Sequence, residues 1–82
     1  MLNTGNQLKA ARALCGIDQI ALADKANVNV GTIRKMEARG SEKLTSGLET
    51  IHKIQSALES AGIEFLNHGH PGVRLTGTEN KD

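Results

Sequence analysis

A residue suited to ending a helix and a residue suited to starting one stand two positions apart in the middle of this chain, at Asn27 and Asn29. Asparagine is second only to glycine in tolerating the left-handed backbone that closes a helix. At a helix start its side-chain oxygen accepts one of the free amides of the first turn. The spacing predicts two short helices, about 19–26 and 30–38, joined by three residues. Helices joined so closely cross steeply, so the residue at their nearest approach must be small and the wedge between them must be filled by apolar side chains. Ala23 meets the first demand, and Leu22, Ile33 and Met36 meet the second.

The rest of the chain is punctuated in the same way. Thr4 and Gln7 have the spacing of a capping box, and Leu8, Ala11, Leu14 and Cys15 recur at helical intervals until Gly16, which predicts a first helix over 5–15. Asp18 is a good N-cap for the second helix, with Ile17 and Leu22 spaced as a hydrophobic staple; Val28 and Ile33 repeat that spacing around the third. Ser46 and Glu49 again have capping-box spacing, ahead of an apolar stripe of Leu48, Ile51, Ile54, Leu58 and Ala61 that ends at Gly62, so a fourth helix is expected over 47–61. Two short apolar segments, 63–66 and 73–75, flank the turn-forming Asn67, Gly69, Pro71 and Gly72 and read as a small β-hairpin. The tail from 76 is polar and is expected to be disordered. The fold class is therefore all-α, a bundle of four helices over 1–62 with a small C-terminal β-hairpin over 63–75.

Composition narrows what such a bundle can do. At 82 residues there is material for one modest core, and with one Phe and neither Trp nor Tyr that core must be aliphatic. The single cysteine, Cys15, has no internal partner for a disulfide and reads as a small buried apolar residue. No segment approaches the ~20 apolar residues that span a bilayer, and no charged segment followed by an apolar run opens the chain, so a cytoplasmic protein is expected. His68 and His70 sit close together in a turn but lack third and fourth ligands, and His52 stands apart, so no metal site is expected. No nucleophile is paired with a base and no glycine-rich loop is shaped for phosphate, so neither an enzyme nor a cofactor is expected. Net charge is only +1, but it is unevenly placed: residues 9–43 carry seven cationic side chains against four acidic ones, and residues from 44 onward carry three against five. A basic half beside an acidic half suits binding a polyanion on one side.

The segment Gln19 to Ala38, with its apolar or small residues at Leu22, Ala23, Ala26, Val28, Ile33 and Met36, resembles the helix-turn-helix of lambda-repressor-like and Cro-type regulators, often called the XRE family. The likeness covers about residues 5–61 and extends to Arg12 and Glu37, where many members place a salt bridge between the first helix and the recognition helix. The ending GIEFLNHGHPGVRL looks like that of short repressor-like proteins with a C-terminal hairpin. The resemblance implies a transcriptional regulator that places its third helix in the major groove of double-stranded DNA. Val30, Gly31, Arg34 and Lys35 would then face the base edges, with Arg34 and Lys35 donating to guanine O6 and N7, Val30 touching a thymine methyl and Gly31 allowing close backbone approach. Asn29 and Thr32 would bond a phosphate or a base, Gln19 a phosphate at the start of the second helix, and Arg39 and Lys43 the backbone beyond the recognition helix. Val30 and Gly31 depart from the polar readers, such as Gln, that the family commonly carries there.

A recognition helix of this length reads only a few base pairs, so a homodimer on a two-fold operator is expected. Its contact is expected from helix four onward, centred on Ile54, Leu58, Phe65, Leu66 and Val73. The alternative is a protein-interaction module on the same fold, an antitoxin, antirepressor or anti-activator. Val30, Gly31 and the apolar Ile20 near the expected DNA side keep that reading open.

Overall fold

Six elements follow one another along the chain: α1 (Gly5–Cys15), α2 (Gln19–Ala26), α3 (Val30–Ala38), α4 (Leu48–Ser60), β1 (Ile63–Leu66) and β2 (Gly72–Leu75). They are described in a computed structural model over residues 1–67 and 69–76. His68 and all of the expected tail beyond Thr76 lie outside the described residues.

The first three helices begin and end where their local chemistry directs. The Thr4 hydroxyl accepts from the Gln7 amide at 3.2 Å while Gln7 Oε1 accepts from the Thr4 amide at 3.1 Å, a complete capping box. Gly16 closes α1 at φ 72° and Asn27 closes α2 at φ 58°, both left-handed. Asp18 accepts from the Ala21 amide at 2.8 Å and Asn29 from the Gly31 amide at 2.7 Å. Caps of this kind are each worth about 1 kcal/mol.

The start of α4 differs from expectation. Its N-cap is Gly47, with no side-chain cap bond, so the Ser46–Glu49 capping box is not formed. The preceding loop takes its path from the N-terminal segment instead: Leu44 N–H donates to the Asn3 carbonyl at 2.9 Å, and Thr4 pairs with Lys43 in an antiparallel bridge. That distant pairing sets where the chain turns into α4.

The core joins all four helices. Leu8 and Ala11 of α1, Leu22, Ala23 and Ala26 of α2, Ile33 and Met36 of α3, and Ile51, Ile54 and Leu58 of α4 form one buried cluster, closed by Leu2 and Ile63. Each fully buried Leu, Ile or Met contributes about 1.5–3 kcal/mol. Two expected members face outward: Leu14 is 44% exposed and Leu48 71% exposed, so the core stripe of α4 is Ile51, Ile54 and Leu58. Ile54 and Leu58, expected at a dimer contact, are wholly buried inside the domain. A chain this short has one apolar stripe on α4, and its own α2 and β1 cover it.

β1 and β2 form a two-stranded antiparallel sheet in continuous register, with Ile63 opposite Leu75 and Phe65 opposite Val73. Phe65 and Val73 are half-buried against the core, and Leu66 is half-buried too. Gln7 ties the hairpin to α1: its buried Nε2 donates to the Gly72 carbonyl at 3.1 Å and to Asn67 Oδ1 at 3.4 Å. Among the described residues no helix is long and apolar enough to cross a membrane.

Candidate nucleic-acid interface

Three contacts fix the position of α3. The first is the short turn, in which Val28 N–H donates to the Ala23 carbonyl at 3.0 Å while the Val28 side chain packs on the core. The second is at the far end, where the start of α1 seats on the end of α3. Asn6 N–H donates to the Gly40 carbonyl at 2.8 Å, and a Cβ on Gly5 would collide with the Met36 carbonyl oxygen and come within 2.9 Å of Gly40 N. Only glycine allows that approach. Its sequence signal was faint, a poor helix former standing in the first turn of α1.

The third contact is ionic. Arg12 Nε lies 2.6 Å from Glu37 Oε2 and Arg12 Nη2 lies 3.0 Å from Glu37 Oε1, a two-pronged pair between α1 and α3. Their side chains are 17% and 7% exposed. Arg12 Nη1 also donates to the Ile17 carbonyl at 3.1 Å, holding the α1–α2 loop. The hydrogen bonds to Glu37 raise the guanidinium pKa above its ordinary value, against the opposing effect of burial.

Gln19 joins the same network. Its Nε2 donates to Glu37 Oε1 at 3.1 Å, and the residue is half-buried. Its side-chain amide therefore helps position α3 rather than standing free for a phosphate, and the start of α2 carries the Asp18 carboxylate as its cap. Sequence reasoning placed Gln19 correctly on the helix but could not see that Glu37 reaches it.

The outer face of α3 is cationic. Arg34 and Lys35 are adjacent, exposed and without an ion-pair partner among the described residues. The first turn of the helix is less open than expected: Val30 packs partly against the core, and Gly31 and Thr32 are half-buried. Asn29 is exposed, and because Oδ1 is held by the cap, Nδ2 is the end left to donate outward. A Cβ on Gly31 would lie 2.9 Å from that Oδ1, so glycine there protects the cap.

Beyond α3, Arg39 curls back rather than outward. Its Nε and Nη2 donate to the Lys43 carbonyl at 3.2 and 3.1 Å, and Nη2 lies 3.5 Å from Glu42. Lys43 is exposed. The structure thus leaves Asn29 at the cap of α3 and Arg34 and Lys35 along it exposed, ties Arg39 to the Lys43 backbone at its end, and draws Gln19 and Val30 inward. A face of this kind can present several N–H donors and positive charge to an anionic, acceptor-rich surface.

Cys15 is half-buried and its Sγ donates to the Ala11 carbonyl at 3.1 Å. Among the described residues no group of three or more His, Cys, Asp or Glu side chains could hold a metal ion. Comparison with models of known protein families finds no match, and comparison with curated proteins finds no significant one.

Proposed function

We propose that this chain is a sequence-specific DNA-binding regulator of the lambda-repressor-like type, acting in the cytoplasm as a homodimer on a two-fold operator with α3 as its recognition helix. One observation carries the reading: Arg34 and Lys35, adjacent, exposed and without an ion-pair partner among the described residues, project from a helix held at both ends by the turn, Gly5 and the Arg12–Glu37–Gln19 network. Preorganisation matters because a base edge is read only by donors held in place. The side chains suit guanine, whose O6 and N7 accept from Arg or Lys, while the sparse first turn of α3 leaves fewer direct base contacts there. No catalytic step belongs to this reading.

Selection of bound duplexes from a random library tests it. Recovery of a two-fold motif, with guanine-containing half-sites about one helical turn apart, is the expected result. Absence of any enriched motif overturns it.

A second reading is supported by Ile20, which is 59% exposed at the start of α2, beside the anionic Asp18 cap. An apolar side chain and a carboxylate suit a protein surface better than a phosphate, so an antitoxin or antirepressor that docks a protein through α2 is the alternative.

A further inference from the structure

We propose that the cleft between the N-terminal segment and the hairpin turn binds the phosphoryl group of a small phosphate monoester through Lys43, His70 and Asn3. The inference rests on the DNA-binding reading only for its effect on DNA; capture of the ester stands apart from it.

Residues 1–4 lie as a strap tied to three parts of the fold. Leu2 is 2% exposed in the core, and its N–H donates to Gln55 Oε1 of α4 at 2.8 Å. The Asn3 N–H donates to Gln7 Oε1 at 2.7 Å and its carbonyl accepts from Leu44 N–H at 2.9 Å, while Thr4 pairs with Lys43 in the loop after α3. The hairpin turn is fastened to the same strap: Asn67 Nδ2 donates to the Met1 carbonyl at 2.8 Å, and Asn67 Oδ1 accepts from Gln7 Nε2 at 3.4 Å. Between strap, loop and turn lies an open cleft of about 340 Å³, lined in part by Asn3, Lys43, Gly69, His70 and Pro71.

The groups left over in this cleft are donors. Both ends of the Asn67 side chain are spent on the ties just described. The side chains of Asn3, Lys43 and His70 have no hydrogen-bond or ion-pair partner among the described residues, which leaves Nδ2, Nζ and a ring N–H to donate. No carboxylate lines the cleft among the described residues, and Glu42, next to Lys43 in sequence, lies 3.5 Å from Arg39 Nη2. A cation and neutral donors without a competing carboxylate select an anion.

The donors come from three separate segments, and this decides which anion. A phosphate monoester carries three strong acceptor oxygens on one tetrahedral atom, one for each wall. A carboxylate has two oxygens in one plane, and a DNA backbone phosphate is a diester with two unbridged oxygens, so each leaves one donor unmatched. The volume falls within the roughly 300–1,000 Å³ of small-ligand sites and exceeds what inorganic phosphate fills, and the Pro71 ring gives the body of a short ester an apolar wall. Lys43 is also the side chain assigned to the DNA backbone beyond α3. An ester seated on it takes that cation from every duplex alike, whatever the sequence, so the cleft lowers operator affinity without touching the readers on α3.

Titration of the full chain with phenyl phosphate, followed by amide resonances in a buffer free of other phosphates, tests the site. Saturable shifts should centre on Asn3, Lys43, Gly69 and His70. Benzoate and methyl phenyl phosphate should bind at least about fivefold more weakly, and Lys43→Met and His70→Ala should each cost at least about fivefold in affinity for phenyl phosphate. Lys9→Met removes the same charge from the exposed face of α1 and should leave that affinity unchanged; unaltered resonances away from the cleft verify that each variant is folded. Shifts that never saturate, benzoate binding as well as phenyl phosphate, or equal losses for Lys9→Met and Lys43→Met overturn the proposal. At fixed ionic strength, saturating phenyl phosphate should weaken duplex binding by the native chain but not by Lys43→Met, and an undiminished native affinity overturns the competition. Duplex selection separates the two inferences: a selected motif without phenyl phosphate binding removes the cleft site and leaves the DNA reading, and binding in the cleft without a selected motif does the reverse.

Discussion

Replacing Arg12 by methionine keeps the aliphatic bulk of the side chain but removes two of the three hydrogen bonds that Glu37 accepts from described side chains, leaving a carboxylate only 7% exposed with Gln19 Nε2 as its one remaining partner among the described residues. Breaking a buried pair from one side costs about 3–5 kcal/mol, and the 17% exposure of Arg12 puts this case at the lower end, about 3 kcal/mol. A domain of this size holds roughly 4–12 kcal/mol in all, so the loss is a large share, and the melting temperature should fall by roughly 12–24 °C. Glu37→Met should cost less, because the stranded guanidinium keeps its bond to the Ile17 carbonyl and is the more exposed partner. The double variant should recover much of the loss, since two apolar side chains replace two stranded charges. Urea unfolding of all four proteins, with equal m-values as the check on two-state behaviour, measures the coupling. We expect at least about 2 kcal/mol of coupling; additive single losses, or a loss below about 1 kcal/mol for Arg12→Met, would refute the account. Because the arginine pKa is raised, its share of the pair is present at every pH below the ordinary arginine range and is lost only as pH climbs past it.

Gly5→Ala should destabilise by about 1–3 kcal/mol in spite of the better helix propensity of alanine, because the new methyl meets backbone atoms of Met36, Glu37 and Gly40 that cannot rotate aside; a stabilised protein in thermal unfolding would contradict the close approach. Asn29→Ala should lose about 1 kcal/mol of stability through the cap and, in addition, weaken DNA binding through Nδ2, whereas Asn29→Asp should keep the cap and lose only binding. Lys35→Ala should change which duplexes are preferred, while Arg39→Ala should weaken all duplexes alike and lower the salt slope by about one. Equal losses on specific and scrambled duplexes for Lys35→Ala would remove its role as a reader.

The starts of the first three helices, and the ends of the first two, were legible because residues next to them fix them: Thr4 with Gln7, Gly16, Asp18, Asn27 and Asn29 carry their caps in a few atoms of local backbone. Ser46 misled because the same local pattern was overruled by Asn3 and Thr4, some forty residues earlier, which hold the loop ahead of α4. Periodicity marked Ile54 and Leu58 as one face of a helix, but a core face and a dimer face have the same period, and only the position of α2 decides between them. At the site, Arg12 and Glu37 could be paired from the resemblance, and they lie together. The turn of Gln19 toward Glu37, and the return of Arg39 to the Lys43 carbonyl, depend on angles between helices that no local pattern encodes.

Gln7 sets an order on the making of this protein. Its side chain is bonded to the Gly72 carbonyl across 65 positions of sequence, and the Leu2 amide reaches Gln55 across 53. On a ribosome adding about 5–20 residues per second, Gln7 is synthesised some 3–13 s before the carbonyl that anchors it. The α1–α3 ion pair can close earlier, with only 25 positions between its partners. The nascent chain therefore passes through an interval in which the three N-terminal helices exist without α4 and the hairpin, with Leu8, Leu22 and Ile33 only partly covered. A chaperone that grips aliphatic surface would find its longest opportunity there.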